Sequence, residues 1–142
     1  MQQAIEIGRF ITFEGGEGSG KSTQVNILAE RLSRSGRAVF VTREPGGSPA
    51  AEEIREVLLS GQVAQFGPLA ESIMFAVARA DHIDNAIQGA LQQGQWVICD
   101  RFIDSTRVYQ GATGGVPRGL INALEQLTVG AVTPDVTFIL DI

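Results

Sequence analysis

The chain has 142 residues, of which 44% are hydrophobic and 19% are charged. This composition predicts one globular domain with a real core and excludes a disordered chain. Lys and Arg number 11 against 16 Asp and Glu, a formal charge of −5. This charge argues against binding a nucleic-acid polymer through a broad basic surface. The single cysteine, Cys99, excludes an internal disulfide and suits a reducing cytosol.

The chain shows no sign of a targeting or membrane segment. Residues 1–6 do not have the pattern of a signal peptide. No apolar run approaches the roughly 18 residues that a membrane-spanning helix needs. We therefore expect a cytoplasmic protein without a membrane partner.

Strand and helix patterns alternate along the chain. The apolar run at 10–13 predicts a first strand, and apolar positions 25, 28, 29 and 32 share one face of a helix over 21–35. Ser48 and Pro49 are typical of an N-cap and a first helical turn. The other predicted elements are strands at 38–41, 96–100 and 136–140, a helix from 49 to 61, a helical region over 68–93 with a break near Asp84 and Asn85, and a helix from 117 to 130.

This alternation predicts an α/β fold with a mostly parallel sheet covered by helices on both faces. Ligands of such sheets bind at the carboxyl ends of the strands. We therefore expect the segments that follow the first three strands to converge on one cleft.

Residues 15–22 fit the phosphate-loop pattern G-x-x-x-x-G-K-S/T. The loop stands between the first strand and the first helix, where backbone N–H groups and the helix N-terminus converge on phosphate oxygens. Lys21 would reach the β- and γ-phosphates, and the Ser22 hydroxyl would ligate Mg²⁺. The sequence therefore predicts a nucleoside-phosphate site.

Two further segments follow predicted strands. Residues 42–47 combine a cation, a carboxylate, a proline and two glycines, which favours a rigid turn close to an anion. Asp100 ends an apolar strand, the usual position of a residue that holds Mg²⁺ or its waters. The adjacent Arg101 could bridge two phosphate groups. Surface ion pairing is the alternative for Arg43 and Arg101.

Taken together, these segments resemble the bacterial thymidylate kinases, a family of P-loop nucleoside monophosphate kinases. The resemblance implies a P-loop NTPase-type fold and transfer of the γ-phosphoryl group of ATP to dTMP, giving dTDP and ADP. It also implies a homodimer formed through helices. The matching segments are 13–23, 42–47, 100–102, 105–106, 109–110 and 134–137.

The resemblance assigns roles residue by residue. Glu17, Lys21 and Arg101 would be catalytic: Glu17 near the acceptor 3′-hydroxyl and the water shell of the metal, and Arg101 between donor and acceptor phosphates. Ser22 and Asp100 would hold Mg²⁺. The implied ATP site is Gly15, Gly16, Glu17, Gly18, Ser19, Gly20, Lys21, Ser22 and Thr23. The implied dTMP site is Glu17, Arg43, Pro45, Phe75, Arg79, Arg101, Ser105, Tyr109 and Gln110, with a cis peptide before Pro45.

The base-binding residues have other interpretations when taken alone. Phe75 and Arg79 share a helical face, but such a Phe is typical of a core, such an Arg of a solvated helix, and Tyr109 of a packing aromatic. The resemblance instead stacks Phe75 on thymine, directs Arg79 to a base carbonyl and uses Tyr109 to exclude a 2′-hydroxyl. His82, the only histidine, is expected on the helix surface.

Two departures from the family pattern bear on catalysis. Gly18 stands where one subgroup carries an Arg, so the resemblance is to the subgroup whose catalytic Arg comes from a lid. The lid, the last strand and an adenine-contacting loop would follow Asp141. We therefore expect residues 1–142 to be a single P-loop kinase domain that is incomplete at its C-terminus, able to bind nucleotides but catalysing poorly.

Two alternatives remain open. One is a kinase for a different nucleoside monophosphate or deoxynucleoside, which Phe75, Arg79 and Tyr109 would discriminate. The other is a nucleotide-dependent switch of the GTPase type or a nucleotide-binding protein without catalysis. The sequence contains neither the Asn-Lys-x-Asp nor the Asp-x-x-Gly motif of such switches.

Overall fold

A parallel β-sheet organises the described part of the chain, residues 6–142 of a computed structural model. Within that range the sheet has four strands in the order β2-β3-β1-β4, all paired in parallel. They are β1 (Phe10–Gly15), β2 (Val39–Arg43), β3 (Trp96–Asp100) and β4 (Val136–Leu140). The prediction that no signal peptide is present was made on residues 1–6. Of these, residues 1–5 lie outside the described residues.

Helical segments connect these strands. They are α1 (Lys21–Arg34), α2 (Pro49–Leu59), a 3-10 turn (Ala64–Phe66), α3 (Pro68–His82), α4 (Gln88–Gln92), α5 (Ile103–Thr106) and α6 (Arg118–Thr128). Two π-helical stretches, Ile83–Ile87 and Arg107–Ala112, continue α3 and α5. The first coincides with the predicted break near Asp84 and Asn85. No helix among the described residues is long and apolar enough to cross a membrane.

The core forms two apolar layers because successive strand side chains point to opposite faces of the sheet. On one face, Phe10 and Val97 pack with Ile83, Ile87 and Phe102. On the other face, the apolar stripe of α1 covers the sheet, as predicted. The buried residues of this second layer are Ile11, Phe13, Val25 and Ile98, with Leu28, Ala29 and Leu32 packed against them.

Two predicted details differ from the structure. The first two strands are longer than predicted, because the parallel ladder pairs Arg43 with Asp100 and Gly15 with Leu140. Helix α2 begins at Pro49 as predicted, but Ser48 makes no side-chain cap bond to its backbone. Its hydroxyl instead donates to a carboxylate oxygen of Asp81 on α3, at 2.6 Å.

Candidate nucleotide site

The carboxyl ends of β1, β2 and β3 meet at one edge of the sheet, as predicted. Asp100 lies level with Phe13 on one side and with Arg43 on the other. The phosphate loop therefore leaves this edge next to Arg101, and the turn at 44–47 lies one strand further along the same edge.

The phosphate loop is closed around the Lys21 ammonium group. Lys21 begins α1 and is buried, and its Nζ donates to the carbonyls of Gly15 at 3.0 Å and Gly16 at 2.8 Å. Gly15 has a φ of 147°, and a Cβ there would lie 2.7 Å from the carbonyl oxygen of Leu140. Only glycine tolerates both conditions. The positive charge is thus fixed inside a loop suited to anions.

A cavity of about 550 Å³ lies beside this loop. It brings together all but one of the residues predicted for the acceptor nucleotide: Glu17, Pro45, Phe75, Arg79, Arg101, Ser105, Tyr109 and Gln110. The Glu44–Pro45 peptide at its edge is cis, as the resemblance implies. Five further lining residues were not among the predicted acceptor residues, although Glu44, Phe102 and Thr106 belong to the matching segments: Glu44, Arg55, Leu59, Phe102 and Thr106.

Arg43 lies apart from the other predicted acceptor residues. It lines a second cavity of about 350 Å³ and pairs with Glu52 at 3.3 Å, both side chains being about half exposed. The Gly47 N–H donates to Glu52 at 2.9 Å and lowers the pKa of that carboxyl. Arg43 thus makes the ion pair that is the alternative to its predicted role.

Ser22 and Asp100 line this second cavity together. A hydroxyl and a carboxylate are hard oxygen donors, and Mg²⁺ in nucleotide sites takes one or two such protein oxygens and completes its shell with water and phosphate. The two residues therefore fit the predicted Mg²⁺ role.

Arg101 occupies a strained position at the rim of the larger cavity. Its φ of 70° lies in the left-handed region, which costs an ordinary residue roughly 1–2 kcal/mol. The Arg101 N–H donates to the Phe13 carbonyl at 2.9 Å, and its guanidinium donates to Ser105 Oγ at 3.3 Å and lies 5.5 Å from the Tyr109 ring. Strain that is retained in this way is characteristic of functional positions.

Comparison with known proteins decides the family. The family model described as thymidylate kinase matches residues 13–142. The chain belongs to the thymidylate kinase family. It is 61% identical over 135 residues to the thymidylate kinase of Nitrobacter hamburgensis and 56% identical over 142 residues to that of Bradyrhizobium diazoefficiens. These alignments cover 95% and 100% of this chain, but 59% and 62% of the relatives.

A solved structure supports the fold of this family member. The thymidylate kinase of Ehrlichia chaffeensis is 44% identical, with a TM-score of 0.86 over 94% of this chain and 75% of that one. The fold is therefore the α/β fold of a P-loop kinase, as predicted. The chain spans about three-fifths of the length of the curated relatives that it matches.

Glu14 ties the turn after β3 to the end of β1. Its buried carboxylate accepts the Phe102 N–H at 2.7 Å and the Ser105 hydroxyl at 2.5 Å. Burial raises the pKa of the Glu14 carboxyl, although these two hydrogen bonds lower it in part. Sequence reasoning gave Glu14 no role, since it stood out only as one member of a matching segment.

Arg79 is buried, with 4% of its surface exposed, so the interpretation as a solvated helix charge is wrong. Its Nε donates to Glu44 Oε1 at 2.6 Å, and its Nη2 donates to the Phe102 carbonyl at 3.2 Å and to Thr106 Oγ1 at 3.1 Å. Arg79 therefore connects α3 to the turn after β2 and to α5.

His82 is fully buried, so the expected surface position is wrong. Its Nδ1 lies 2.8 Å from Glu44 Oε2, and its Nε2 lies 2.6 Å from Thr42 Oγ1. The spacing from Arg79 contained a signal for this, because residues three apart on a helix share a face. Thr42, His82, Glu44 and Arg79 form a continuous chain of contacts, here called the buried relay.

Proposed function

We propose that this chain carries the donor and acceptor sites of an enzyme that transfers the γ-phosphoryl group of ATP to dTMP. The proposal rests chiefly on the larger cavity, which joins Arg101 and Glu17 near the phosphate loop to Phe75, Arg79 and Tyr109. Relatives that bear the name thymidylate kinase over nearly all of this chain support the same reaction.

The donor phosphates would bind along residues 15–22, where backbone N–H groups and Lys21 meet the negative charge. Ser22 and Asp100 would hold Mg²⁺ at the edge of this loop. When bound, Mg²⁺ supplies neutralisation of the charge on the donor phosphates.

Arg101 would align the two phosphate groups. Phosphoryl transfer demands positioning and charge neutralisation more than a covalent catalyst. A guanidinium fixed at the rim between loop and cavity can contact a donor and an acceptor phosphate at once. Glu17, exposed on the loop and lining the cavity, would contact the acceptor near its sugar.

The acceptor base would lie against Phe75, with Arg79 at its polar edge. Nε and Nη2 of Arg79 are committed to Glu44, Phe102 and Thr106, and this leaves Nη1 to serve the ligand. Guanidinium nitrogens are donors only, so this edge favours a base carbonyl over an amino group. Tyr109, Ser105 and Gln110 would contact the rest of the nucleotide.

A homodimer is part of this proposal. Helix α3 exposes Leu69, Ile73 and Val77, each close to half accessible. Their spacing of four residues places them on one helical face, here called the α3 stripe. Val57 of the neighbouring α2 is also exposed. A row of exposed apolar side chains on one helical face favours a protein interface. We also place the enzyme in the cytoplasm, which suits the single thiol.

The reaction is tested by coupled ADP release with Mg²⁺-ATP and a panel of acceptors: dTMP, dUMP, dCMP, dGMP, AMP and thymidine. Selective turnover of dTMP over dCMP and the purine nucleotides supports the proposal. Preference for another acceptor would instead support a different nucleoside monophosphate kinase. Calorimetric titration of dTMP on the same preparation separates loss of catalysis from loss of binding, and absence of both would reject the acceptor site.

A further inference from the structure

We infer that His82 is a positioning residue that holds Glu44, and through Glu44 also Arg79, in the orientation that selects the acceptor base. This inference rests on the proposed function, because it assigns the control of base selection to a residue behind the cavity. His82 does not line either nucleotide cavity and has no exposed surface. It can therefore act on a nucleotide only through its neighbours.

Base selection depends first on the orientation of Arg79. Every buried side-chain nitrogen or oxygen in residues 6–142 has a hydrogen-bond partner, while Nη1 of Arg79 has no protein partner in that range. Because it has no partner, Nη1 is not one of the buried atoms. It is therefore the accessible edge of a side chain that lines the larger cavity. Rotation of the guanidinium would change which of its donors face the ligand, so base selection requires that the group be fixed.

The orientation of Arg79 depends in turn on the orientation of Glu44. One carboxylate oxygen accepts from Arg79 Nε at 2.6 Å, and the other lies 2.8 Å from His82 Nδ1. Both contacts are buried, and removing one partner of a buried carboxylate leaves an unpaired oxygen. Without His82, the carboxylate would turn to find a replacement partner. The hydrogen bond from Arg79 Nε to Glu44 would then change its direction as well.

His82 is itself held in place by its neighbours. Thr42 Oγ1 contacts its other ring nitrogen at 2.6 Å. Gly47 closes the site from above: a Cβ there would lie 2.2 Å from His82 Nε2 and 2.4 Å from Thr42 Oγ1. The backbone of the turn at 44–47 therefore packs directly on the imidazole, with no space between them for a side chain at position 47.

The relay makes a specific prediction about bases. A carboxylate oxygen only accepts hydrogen bonds, so we expect Nδ1 of His82 to carry a proton and to donate to Glu44. Arg79 offers only donors, and in its fixed orientation they match a thymine carbonyl and oppose the exocyclic amino group that cytosine has in its place. Loosening the relay should therefore reduce discrimination between dTMP and dCMP as well as affinity for dTMP.

The main test uses His82→Leu and the matched variant His82→Asn, whose side-chain amide retains a donor close to the position of Nδ1. We expect His82→Leu to weaken dTMP binding about tenfold, the equivalent of one hydrogen bond to a charged group, and to lower the preference for dTMP over dCMP. ATP affinity should be unchanged, and His82→Asn should restore most of the loss. Equal weakening of dTMP and ATP would overturn the inference in favour of a purely structural role.

A double-mutant cycle with Arg79→Ala separates this inference from the proposed function. If His82 acts through Arg79, then His82→Leu has no further effect on dTMP affinity in the Arg79→Ala background. Additive losses would overturn the inference. If Arg79→Ala itself leaves dTMP affinity intact, the assignment of the base site in the proposed function fails instead.

Two further measurements keep the inference testable if His82→Leu does not fold. Thr42→Val removes the hydroxyl and should lower both dTMP affinity and the preference for dTMP over dCMP, whereas Thr42→Ser should not; ATP affinity is not the readout here, since Thr42 also lines the smaller cavity. Because the sequence has a single histidine, its ¹⁵N ring resonances can be read without ambiguity in the wild-type protein. A proton on Nδ1 agrees with the inference, and a neutral ring protonated only on Nε2 would contradict it.

Discussion

Glu14 and Glu44 are buried carboxylates that hold the turns around the larger cavity. Glu14 joins the end of β1 to α5 through Phe102 and Ser105, and Glu44 joins the turn after β2 to α3. Each accepts two side-chain or backbone donors, which compensates for the loss of hydration. These two buried carboxylates therefore hold in place the residues that face the cavity.

Removing Arg79 tests the base site directly. We expect Arg79→Ala to weaken dTMP binding by roughly 10- to 100-fold, since a charged hydrogen-bond donor is lost from a buried edge. ATP binding should be nearly unchanged, because Arg79 does not line the cavity of Ser22 and Asp100. Calorimetric titration of each nucleotide measures both effects. Equal losses for dTMP and ATP would contradict the assignment.

The raised pKa of Glu14 predicts a dependence of stability on pH. The folded state holds this proton more tightly than the unfolded state, so its contribution is present at low pH. It is lost as pH rises from the ordinary value of about 4.3 through the raised pKa. Glu14→Gln cannot titrate and keeps an acceptor for the Phe102 N–H. We therefore expect the variant to gain stability relative to wild type as pH rises, up to a plateau.

Urea unfolding of both proteins at steps from about pH 4 to about pH 8 measures this difference. The other carboxylates titrate in both proteins and cancel in the comparison. A difference that shrinks with rising pH would show that Glu14 is stabilised as a carboxylate, contrary to this account.

At the scale of elements, the turn at 44–47 depends on Gly47. Its φ of 89° disfavours any side chain, and a Cβ would strike His82 and Thr42. Gly61 offers a matched control, because its φ is 80° but nothing lies within 4 Å of a Cβ there. The two positions therefore share the backbone cost and differ in the steric one.

We expect Gly61→Ala to lower the free energy of unfolding by about 1 kcal/mol. Gly47→Ala should cost a further 1–3 kcal/mol or so, the usual range for overpacking. Gly47→Ala should also weaken dTMP binding through the buried relay. Chemical denaturation of the two variants checks the order, and equal losses would contradict the close packing of the turn on His82.

The success of sequence reasoning differed between elements for physical reasons. The strands were predictable because their apolar runs are short and bounded by turn residues, and the phosphate loop because its glycines and Lys21 form a specific pattern. The helical segment at 103–112 was missed, since a four-residue helix that continues as a π-helical stretch has no 3.6-residue periodicity. Glu44 and His82 were missed because their burial arises from partners on distant segments.

At the scale of the whole molecule, chain order does not reveal strand order. The sheet order β2-β3-β1-β4 places the end of β3 next to the phosphate loop and the end of β2 one strand further away, which local patterns could not specify. The segments that follow those ends nevertheless supplied six of the eight predicted residues that line the larger cavity, because parallel strands share one carboxyl edge. Arg43 is the exception: it faces the smaller cavity, although it adjoins the turn that contributes Pro45 to the larger one.

The α3 stripe predicts the assembly state. We expect the wild-type protein to sediment as a dimer at micromolar concentration and Ile73→Lys to be monomeric, because a buried lysine charge opposes association. Ile27→Lys on α1 is the matched control: Ile27 is as exposed as Ile73 but lies outside the stripe, so this variant should remain dimeric. A wild-type protein that sediments as a monomer would contradict the proposed interface.

The most direct test of the account is a crystal structure of the protein with dTMP bound. We expect the nucleotide in the cavity of about 550 Å³, with the thymine ring against Phe75, a base carbonyl at Arg79 Nη1 and the phosphate directed to Arg101. A nucleotide bound in the smaller cavity of Ser22 and Asp100, or one with its base turned away from Arg79, would contradict it.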